Sequence, residues 1–446
     1  MDTTALRQKL LDLAICGRLV PQNPDEPAIE LDAEDTVPEP EQPFEIPENW
    51  RWVKLQNLFK FVDYRGKTPK KSPSGIRLMT ASNIKQGYID HTRMEYISQE
   101  EYLSRQSRGI SQKGDILFTT EAPLGNAALA DLDVYSAGQR VITLQSDNVE
   151  KSLFVYFLIS PFFQKTLKEN ATGSTAQGIK AANLKKLCLP VPPLPEQKRI
   201  AAKLEQLFEV INRCEEAQKQ IADTATQLRS SLLQAAIQGR LVPQNPDEPA
   251  VELDAKDIVP ESEQPYEIPE NWRWVKLFQC ISVNPKVESL DDETSVSFLP
   301  MANVEGGYRS KYITEIRNWK EVKRGFTRFT NGDVIVARIT PCFQNMKSAV
   351  CQNLTNGVGT GSTEFHVLRC KEHVFNKYLL YFVKTPFMLQ YGVSRFSGAV
   401  GQQRFSSKEI KIMPFPLPPL TEQKRIVTKL ELLFSTIDLI PTHKYI

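Results

Sequence analysis

The run from Leu6 to Leu55 recurs without a gap as Leu228 to Leu277, 222 residues later, with 40 of 50 positions identical. So long an ungapped repeat means internal duplication. One shorter segment repeats as well. Pro193-Leu194-Pro195-Glu196-Gln197-Lys198-Arg199-Ile200 returns as Pro419-Leu420-Thr421-Glu422-Gln423-Lys424-Arg425-Ile426. The stretch Pro195 to Gln238 joins both kinds of repeat: it opens on the second and runs into the first. After Pro195 it holds no Gly or Pro until Gly239. Its apolar residues fall at Ile200, Leu204, Leu207, Ile211, Cys214, Ile221, Ala225, Leu228, Leu232 and Ala235, with Gln218 in the one polar gap. Steps of four and three are the heptad period of a helix that lies against another helix. Proline at the start and glycine past the end are the expected punctuation. At about 1.5 Å per residue the helix is roughly 60 Å long, which suits a spacer.

The other copy of this helix is split. Its front half is C-terminal, with apolar steps at Ile426, Leu430, Leu433, Ile437 and Ile440. Its back half is N-terminal, where Leu6, Leu10 and Leu13 match Leu228, Leu232 and Ala235. The halves together are about ten residues shorter than the central helix. A helix running from a first globular segment to a second, paired with a copy running back, makes an antiparallel two-helix coiled coil with a pseudo-two-fold axis. The chain is then circularly organised, with its two ends expected near each other.

Charge separates the remaining segments. The net charge of +2 is uninformative as a sum. Residues 22–49 carry ten acids and no Lys or Arg, and residues 244–271 are almost as acidic. Residues 56–187 and 278–413 come to +6 and +7, counting Lys and Arg against Asp and Glu. Two basic bodies joined by acidic, proline-rich connectors suit phosphate contact, although a mildly basic solvated surface has the same sum. The resulting organisation is residues 1–17, N-terminal half of the distal helix; 18–55, acidic linker; 56–190, first lobe; 191–239, central helix; 240–277, repeated linker; 278–416, second lobe; 417–446, C-terminal half of the distal helix.

The lobes share a frame. Gly114-Asp115-Ile116-Leu117-Phe118 is answered by Gly332-Asp333-Val334-Ile335-Val336, and Asn83 by Asn303. Strand-like runs at Arg77–Thr80, Asp115–Thr119 and Arg140–Leu144, with helical stretches at Ser152–Ser160, Pro161–Asn170 and His373–Lys384, predict mixed α/β lobes. Trp50 and Trp52, and Trp272 and Trp274, alternate with polar residues and are expected to anchor the start of each lobe's core. Outside these anchors the lobes diverge, as two readers of different targets would.

Candidate nucleic-acid contacts lie in basic and polar turns. Arg65, Lys67, Lys70 and Lys71 form a cationic turn suited to phosphate, or to plain solvation. Gln177 and Lys180 in the first lobe, and Gln402, Gln403 and Arg404 in the second, precede each lobe's last strand. Arg338, Gln344 and Lys347 form a further loop. Gln pairs bidentately with adenine and Arg with guanine in the major groove, though both are common on any surface.

Other chemistries find little support. Gly357-Val358-Gly359-Thr360-Gly361-Ser362 looks like a nucleotide-binding loop, but a strand-like run follows where a helix is needed, so a turn is expected. Gly66-Lys67-Thr68 lacks the upstream glycine of a phosphate-binding loop, position 61 being Phe61. Pro246-Asp247 with Asp254-Ala255-Lys256 only faintly resembles a metal-nuclease pattern, and the first copy has Glu34 in place of the lysine. Cys16, Cys188, Cys214, Cys280, Cys342, Cys351 and Cys370 form no CxxC pair, which argues for reduced, cytoplasmic thiols and against a zinc site. With only four histidines, a His-rich metal centre is not expected. No apolar run reaches the roughly 18–20 residues that span a membrane, and Met1-Asp2-Thr3-Thr4 does not read as a signal peptide.

The duplicated Gly-Arg-Leu-Val-Pro-Gln-Asn-Pro-Asp-Glu-Pro-Ala (17–28 and 239–250), Ile-Pro-Glu-Asn-Trp (46–50 and 268–272) and Pro-Pro-Leu-x-Glu-Gln-Lys-Arg-Ile (192–200 and 418–426), with Gly114-Asp115-Ile116 and Gly361-Ser362-Thr363-Glu364-Phe365, resemble the specificity subunits of Type I restriction–modification systems. The resemblance covers nearly the whole chain. It implies that each lobe is a target-recognition domain and that the chain itself catalyses nothing. It implies that the two domains bind the halves of a bipartite, asymmetric duplex DNA site. The paired helices, through Ile200, Leu204, Leu207, Ile211, Leu228, Leu232, Ile426, Leu430, Leu433 and Ile437, would pair and dock two modification subunits. Those partners methylate adenine N6 from S-adenosylmethionine, and ATP- and Mg-dependent restriction subunits join them; no cofactor or metal is expected on this chain. An autonomous enzyme, or a coiled-coil scaffold or RNA-binding protein, accounts less well for the split repeat.

Overall fold

The computed structural model describes residues 2–32, 35–64, 68–173, 177–399 and 402–440. The chain forms two compact units, Met1–Ala217 and Gln218–Ile446. The division falls inside the central helix, Leu194–Ile237, beside the polar Gln218 that interrupts its apolar stripe. With 44 residues this helix is about 66 Å long. Met1 and residues 441–446, to which the expectation about the chain ends belongs, lie outside the described residues.

In the first unit the N-terminal helix Thr3–Ile15 runs antiparallel to the front of the central helix. Arg7 donates to Asn212 at 2.6 Å and pairs with Glu215 at 3.1 Å. Toward the other end Leu11, Ala14 and Ile15 share a core with Ile200, Ala201 and Leu204. In the second unit the back of the central helix meets the C-terminal helix Leu420–Asp438 in the same sense. Arg229 pairs with Asp438, and Leu233, Ala236 and Ile237 share a core with Ile426, Val427 and Leu430. Each unit therefore holds one front half and one back half of the repeated helix, as the split repeat requires.

The buried stripe departs from the strict heptad. Ile200, Leu204, Ile211 and Ala225 are buried, and Leu207 and Cys214 half-buried. Ile221 and Leu228, however, are 40 and 45 % exposed, and Leu232 and Ala235 are half-buried. After Ala225 the stripe moves to Leu233, Ala236 and Ile237. Leu228 therefore lies outside the packing seam of its unit. In the C-terminal helix Ile426, Leu430, Phe434 and Ile437 are buried, Leu433 is half-buried and Ile440 exposed. A straight α-helix drifts about 20° per heptad. Over several turns the buried face rotates onto the next column of residues, here the one facing Trp272 and Val275.

The Pro-rich repeats fasten these helices to the lobes. Gly17 and Gly239 end their helices at φ of 69° and 70°. A Cβ there would meet the ring of Pro47 at 2.5 Å or Pro269 at 2.3 Å, so only glycine fits. Chain entry and exit of each lobe then pair as a ribbon, Arg51–Lys54 with Cys188–Val191 and Arg273–Lys276 with Pro414–Leu417. Trp50, Trp52, Trp272 and Trp274 are almost wholly buried here, as expected of anchors.

Both lobes repeat two four-stranded sheets. In the first lobe one sheet orders Lys60–Asp63, Val141–Gln145, Ile116–Thr120 and Leu124–Leu129, all antiparallel. In the second lobe the order is Ile281–Val283, Phe365–Cys370, Val334–Ala337 and Ser348–Val350. Each lobe's other sheet contains one parallel pair, Ile76–Met79 with Tyr135–Ala137 and Ser295–Leu299 with Val358–Gly361. The last strand corrects the turn expected at residues 357–362. Its glycines permit close packing instead: a Cβ on Gly359 would lie 2.1 Å from the Phe329 ring, and one on Gly361 would lie 2.3 Å from the Leu299 carbonyl oxygen.

The repeated Glu-Gln dipeptides are buried polar hubs. Glu196 accepts from the Trp50 indole at 2.9 Å and from Gln22 at 2.7 Å; Glu422 accepts from Trp272 at 2.9 Å and Gln244 at 2.7 Å. Gln197 donates to the Pro192 carbonyl and accepts from the Glu150 amide; Gln423 does likewise with Pro418 and Phe375. Glu26–Arg199 and Glu248–Arg425 close the same corner twice. Burial pushes both hub carboxyls above the usual range, against the opposing hydrogen bonds. With the folded value raised, their contribution to stability is full below the unfolded value and is lost as pH rises through the folded one. The indole bond opposes that shift by favouring the ionised form. Trp272→Phe leaves a buried acceptor unfilled and should cost about 1–3 kcal/mol, read as a lower urea midpoint. The deficit should shrink on acidification.

Candidate nucleic-acid interface

In the first unit, Arg65 and Lys67 lie outside the described residues. Lys70 is exposed, and Lys71 pairs with Glu95 at 2.7 Å while its side chain stays 58 % exposed. Arg93 holds the other side of Glu95 at 3.0 Å. Lys71, Arg93 and Glu95 face a cleft of about 390 Å³ lined also by Thr68, Gln139 and Arg140. Thr68 donates to Gln139 at 2.9 Å, and Arg140 lies 3.8 Å from Glu121. Gln177 and Lys180 are exposed on either side of Gly178 and Ile179. The loop is laid against a strand end, because Ile179 donates its amide to the Thr120 carbonyl at 3.0 Å and Gly178 bridges to Glu121.

In the second unit the equivalent loops meet. The Phe405 amide donates to the Arg338 carbonyl at 2.8 Å, the Thr340 amide to the Gln403 carbonyl at 3.0 Å, and Arg404 bridges to Ile339. Arg338, Gln402, Gln403 and Arg404 are thus brought together, and Gln344 is exposed on the turn that follows Pro341. Two expected readers are otherwise engaged. Arg404 makes three bonds of 2.7–3.0 Å to the Glu364 carboxylate, with Arg338 a further 3.9 Å away. Lys347 donates to the Met301 carbonyl at 3.0 Å. Bidentate arginine–carboxylate pairing is strong enough to hold the guanidinium away from a free, guanine-reading pose.

The two units carry opposite charges on one frame. The Thr120 amide donates to the Arg140 carbonyl at 3.0 Å, and the Arg338 amide donates to the Glu364 carbonyl at 2.9 Å. Arg140 and Glu364 therefore occupy equivalent places, each just before the strand that enters the core. In the first unit this place is cationic and faces Glu121; in the second it is anionic and faces Arg404. Arg93, Gln139 and Arg140 were not singled out from the sequence. Aligning Gly138-Gln139-Arg140 with Ser362-Thr363-Glu364 ahead of matching strands would have marked Arg140.

Other chemistry is sparse. His366 is buried, 2.8 Å from the Phe405 carbonyl, and burial holds its imidazole down to about 4, so it is neutral. Among the described residues no group of three or more His, Cys, Asp or Glu is placed to hold a metal ion, and no helix is long and apolar enough to cross a membrane. The seven cysteines are free.

A sequence model of the family described as Type I restriction modification DNA specificity domain matches residues 47–232 and again 269–445. The chain belongs to this family. Among relatives of this specificity-family chain, the EcoAI specificity subunit of Escherichia coli is 40 % identical over 233 residues, 47 % of this chain and 40 % of that protein. The Escherichia coli EcoEI specificity subunit is 40 % identical over 222 residues, 45 % of this chain and 37 % of that one. The chain thus matches well under two thirds of the length of either relative. A solved chain from work on complex assembly and conformational transition of the type I R-M system superposes with a TM-score of 0.61 at 21 % identity. That match covers 89 % of this chain and 93 % of the other, and it is a likeness of fold.

The Glu364 cluster gives this specificity-family protein an acid-labile corner. Hydrogen bonding to Arg404 holds the Glu364 carboxyl below the usual range, with the Arg404 and Arg338 charges acting in the same direction. With the folded value depressed, the pair's contribution is present above the unfolded value, about 4.3, and is lost as pH falls through the folded one. Denaturation midpoints measured down the acid range should fall less steeply for Glu364→Gln than for the parent; parallel curves would contradict the assignment.

Proposed function

We propose that this chain is the non-catalytic DNA-recognition subunit of a Type I restriction–modification complex. Its two lobes, residues 56–190 and 278–416, bind the two halves of a bipartite, asymmetric duplex site. Bound there, it directs two modification subunits to methylate adenine N6 and restriction subunits to cleave. S-adenosylmethionine, ATP and Mg are used by those partners, and this chain binds none of them directly. Such a complex works in the cytoplasm, where the DNA is. The observation that carries the reading is the common frame with opposite charges at equivalent places, Arg140 against Glu121 and Glu364 against Arg404. A duplicated scaffold with unlike side chains on the same loops suits two different short sequences. The exposed Lys70, Gln177, Lys180, Gln344 and Gln402 supply phosphate and base-edge donors.

In this reading the uninterrupted central helix is the ruler between the half-sites, which on one face of B-DNA recur about every 34 Å. Inserting four residues between Gln218 and Ile221 adds about 6 Å of helix. It should lengthen the preferred gap by one or two base pairs in methylation assays on sites of graded spacing. An unchanged preference would refute the ruler. Exchanging residues 56–187 for another lobe should alter one half of the site only, and changes in both halves would count against independent reading. Mapping methylated adenines genome-wide in cells with and without this chain tests the function as a whole: a bipartite motif that vanishes with the chain is expected, and an identical map would end the proposal.

A further inference from the structure

Lys384 has no exposure to solvent, and nothing in the reading above uses it. It lies between the helices Asn376–Phe382 and Pro386–Val393. Lysine is seldom fully buried unless its ammonium is satisfied. Here Nζ donates to the Gly307 carbonyl at 2.5 Å and to the Met346 carbonyl at 2.9 Å. Those carbonyls belong to two loops that meet at this point. The Gly307 amide donates to the Asn345 carbonyl at 2.8 Å, and a Cβ on Gly306 would come within 2.7 Å of the same oxygen. The ammonium thus closes a seam between residues 301–307 and the turn 341–347, and that turn carries the exposed Gln344.

The first unit solves the same place differently. Ser160-Pro161 and Thr385-Pro386 start equivalent helices with equivalent side-chain caps, so Ile159 stands where Lys384 stands. Its Cδ1 lies 3.8 Å from where a Cβ on Gly87 would be, and the Gly87 amide donates to the Ala127 carbonyl as Gly307 does to Asn345. The turns differ in length. Leu124, Gly125 and Asn126 separate Pro123 from Ala127, whereas the six residues from Cys342 to Lys347 separate Pro341 from Ser348. Ala127 and Ser348 are matched positions, paired with Phe118 and Val336. The longer turn, with Met346 at φ 56°, brings a carbonyl inward that an isoleucine has no hydrogen to meet.

We propose that Lys384 is a positioning residue for DNA specificity, fixing the turn 341–347, and through it Gln344, in the geometry by which the second unit reads its half of the site. The inference rests on the proposed function and adds which group sets one half-site. Burial holds the Lys384 ammonium down to about 7, with the Glu305 charge on the neighbouring loop opposing the shift. Lys347 is the charged group next to Met346, and its own ammonium is directed to the Met301 carbonyl. Bonds from a protonated Nζ are the stronger ones, so the seam loosens as pH rises through that value.

The test uses the full chain produced with the modification subunits, assayed on duplexes carrying single base changes in either half; the half altered by exchanging residues 56–187 belongs to the first unit. Lys384→Met keeps the stem and removes the donors. It should lower discrimination in the second unit's half by about tenfold per base and leave the other half unchanged. The parent's discrimination in that half should weaken from about pH 6 to about pH 9, while the variant's stays flat. Discrimination by Lys384→Met equal to the parent's in both halves, or lost equally in both, overturns the proposal. Should that variant not fold, Gln344→Ala decides on an exposed position: weakened discrimination in the same half supports the proposal, and none overturns it. A parent chain that directs no sequence-specific methylation defeats the functional reading itself, before any variant is compared.

Discussion

A carboxylate taken wholly out of water beside a tryptophan indole is the constraint on which each unit is built. Glu196 and Glu422 have no exposed surface, and each is reached by one indole and one glutamine amide from a segment roughly 150 to 180 residues away in sequence. Burying a carboxyl group is costly unless its acceptor sites are filled, so the linker glutamine, the lobe tryptophan and the helix glutamate must arrive together. That requirement joins helix, linker and lobe at one corner. It also explains why the segments repeated most faithfully are those that read as loops: they complete the hub.

Around this fixed corner the lobes were free to diverge. The sheets, the entry and exit ribbon and the helix caps are repeated, while the loops above them carry opposite charges at matched places. Arg140 faces Glu121 in one unit and Glu364 faces Arg404 in the other. A scaffold that is rigid below and variable above can change what it recognises without disturbing its core. Lys384 against Ile159 fits the same pattern one layer down, where a longer reading turn has acquired an internal support.

Much of the frame was legible because it rests on local pattern. The long helix declared itself through period, proline and glycine, and the buried tryptophans through alternation. The family was legible in three duplicated motifs. The reading side chains were less so. Arg404 looks in the sequence like a free guanine-reading cation, and only folding brings it against Glu364, 40 residues earlier. Arg140 went unnoticed because its role depends on the cleft shared with Lys71 and Arg93, which are remote in sequence. The glycines at 359 and 361 read as a turn because a missing side chain signals flexibility locally; here it makes room for Phe329 and for the Leu299 backbone.

By itself the sequence determined the duplication, the split helix, the acidic connectors and the basic lobes, since repeats, periodicity and charge are properties of neighbouring residues. Tertiary structure alone decided which column of the helix is buried beyond Ala225, which cations are tied to carboxylates and which remain exposed, and that a lysine holds up one turn from within. Those outcomes depend on pairings between distant segments and on the dryness of the places where they meet, and neither is written in any local run of residues.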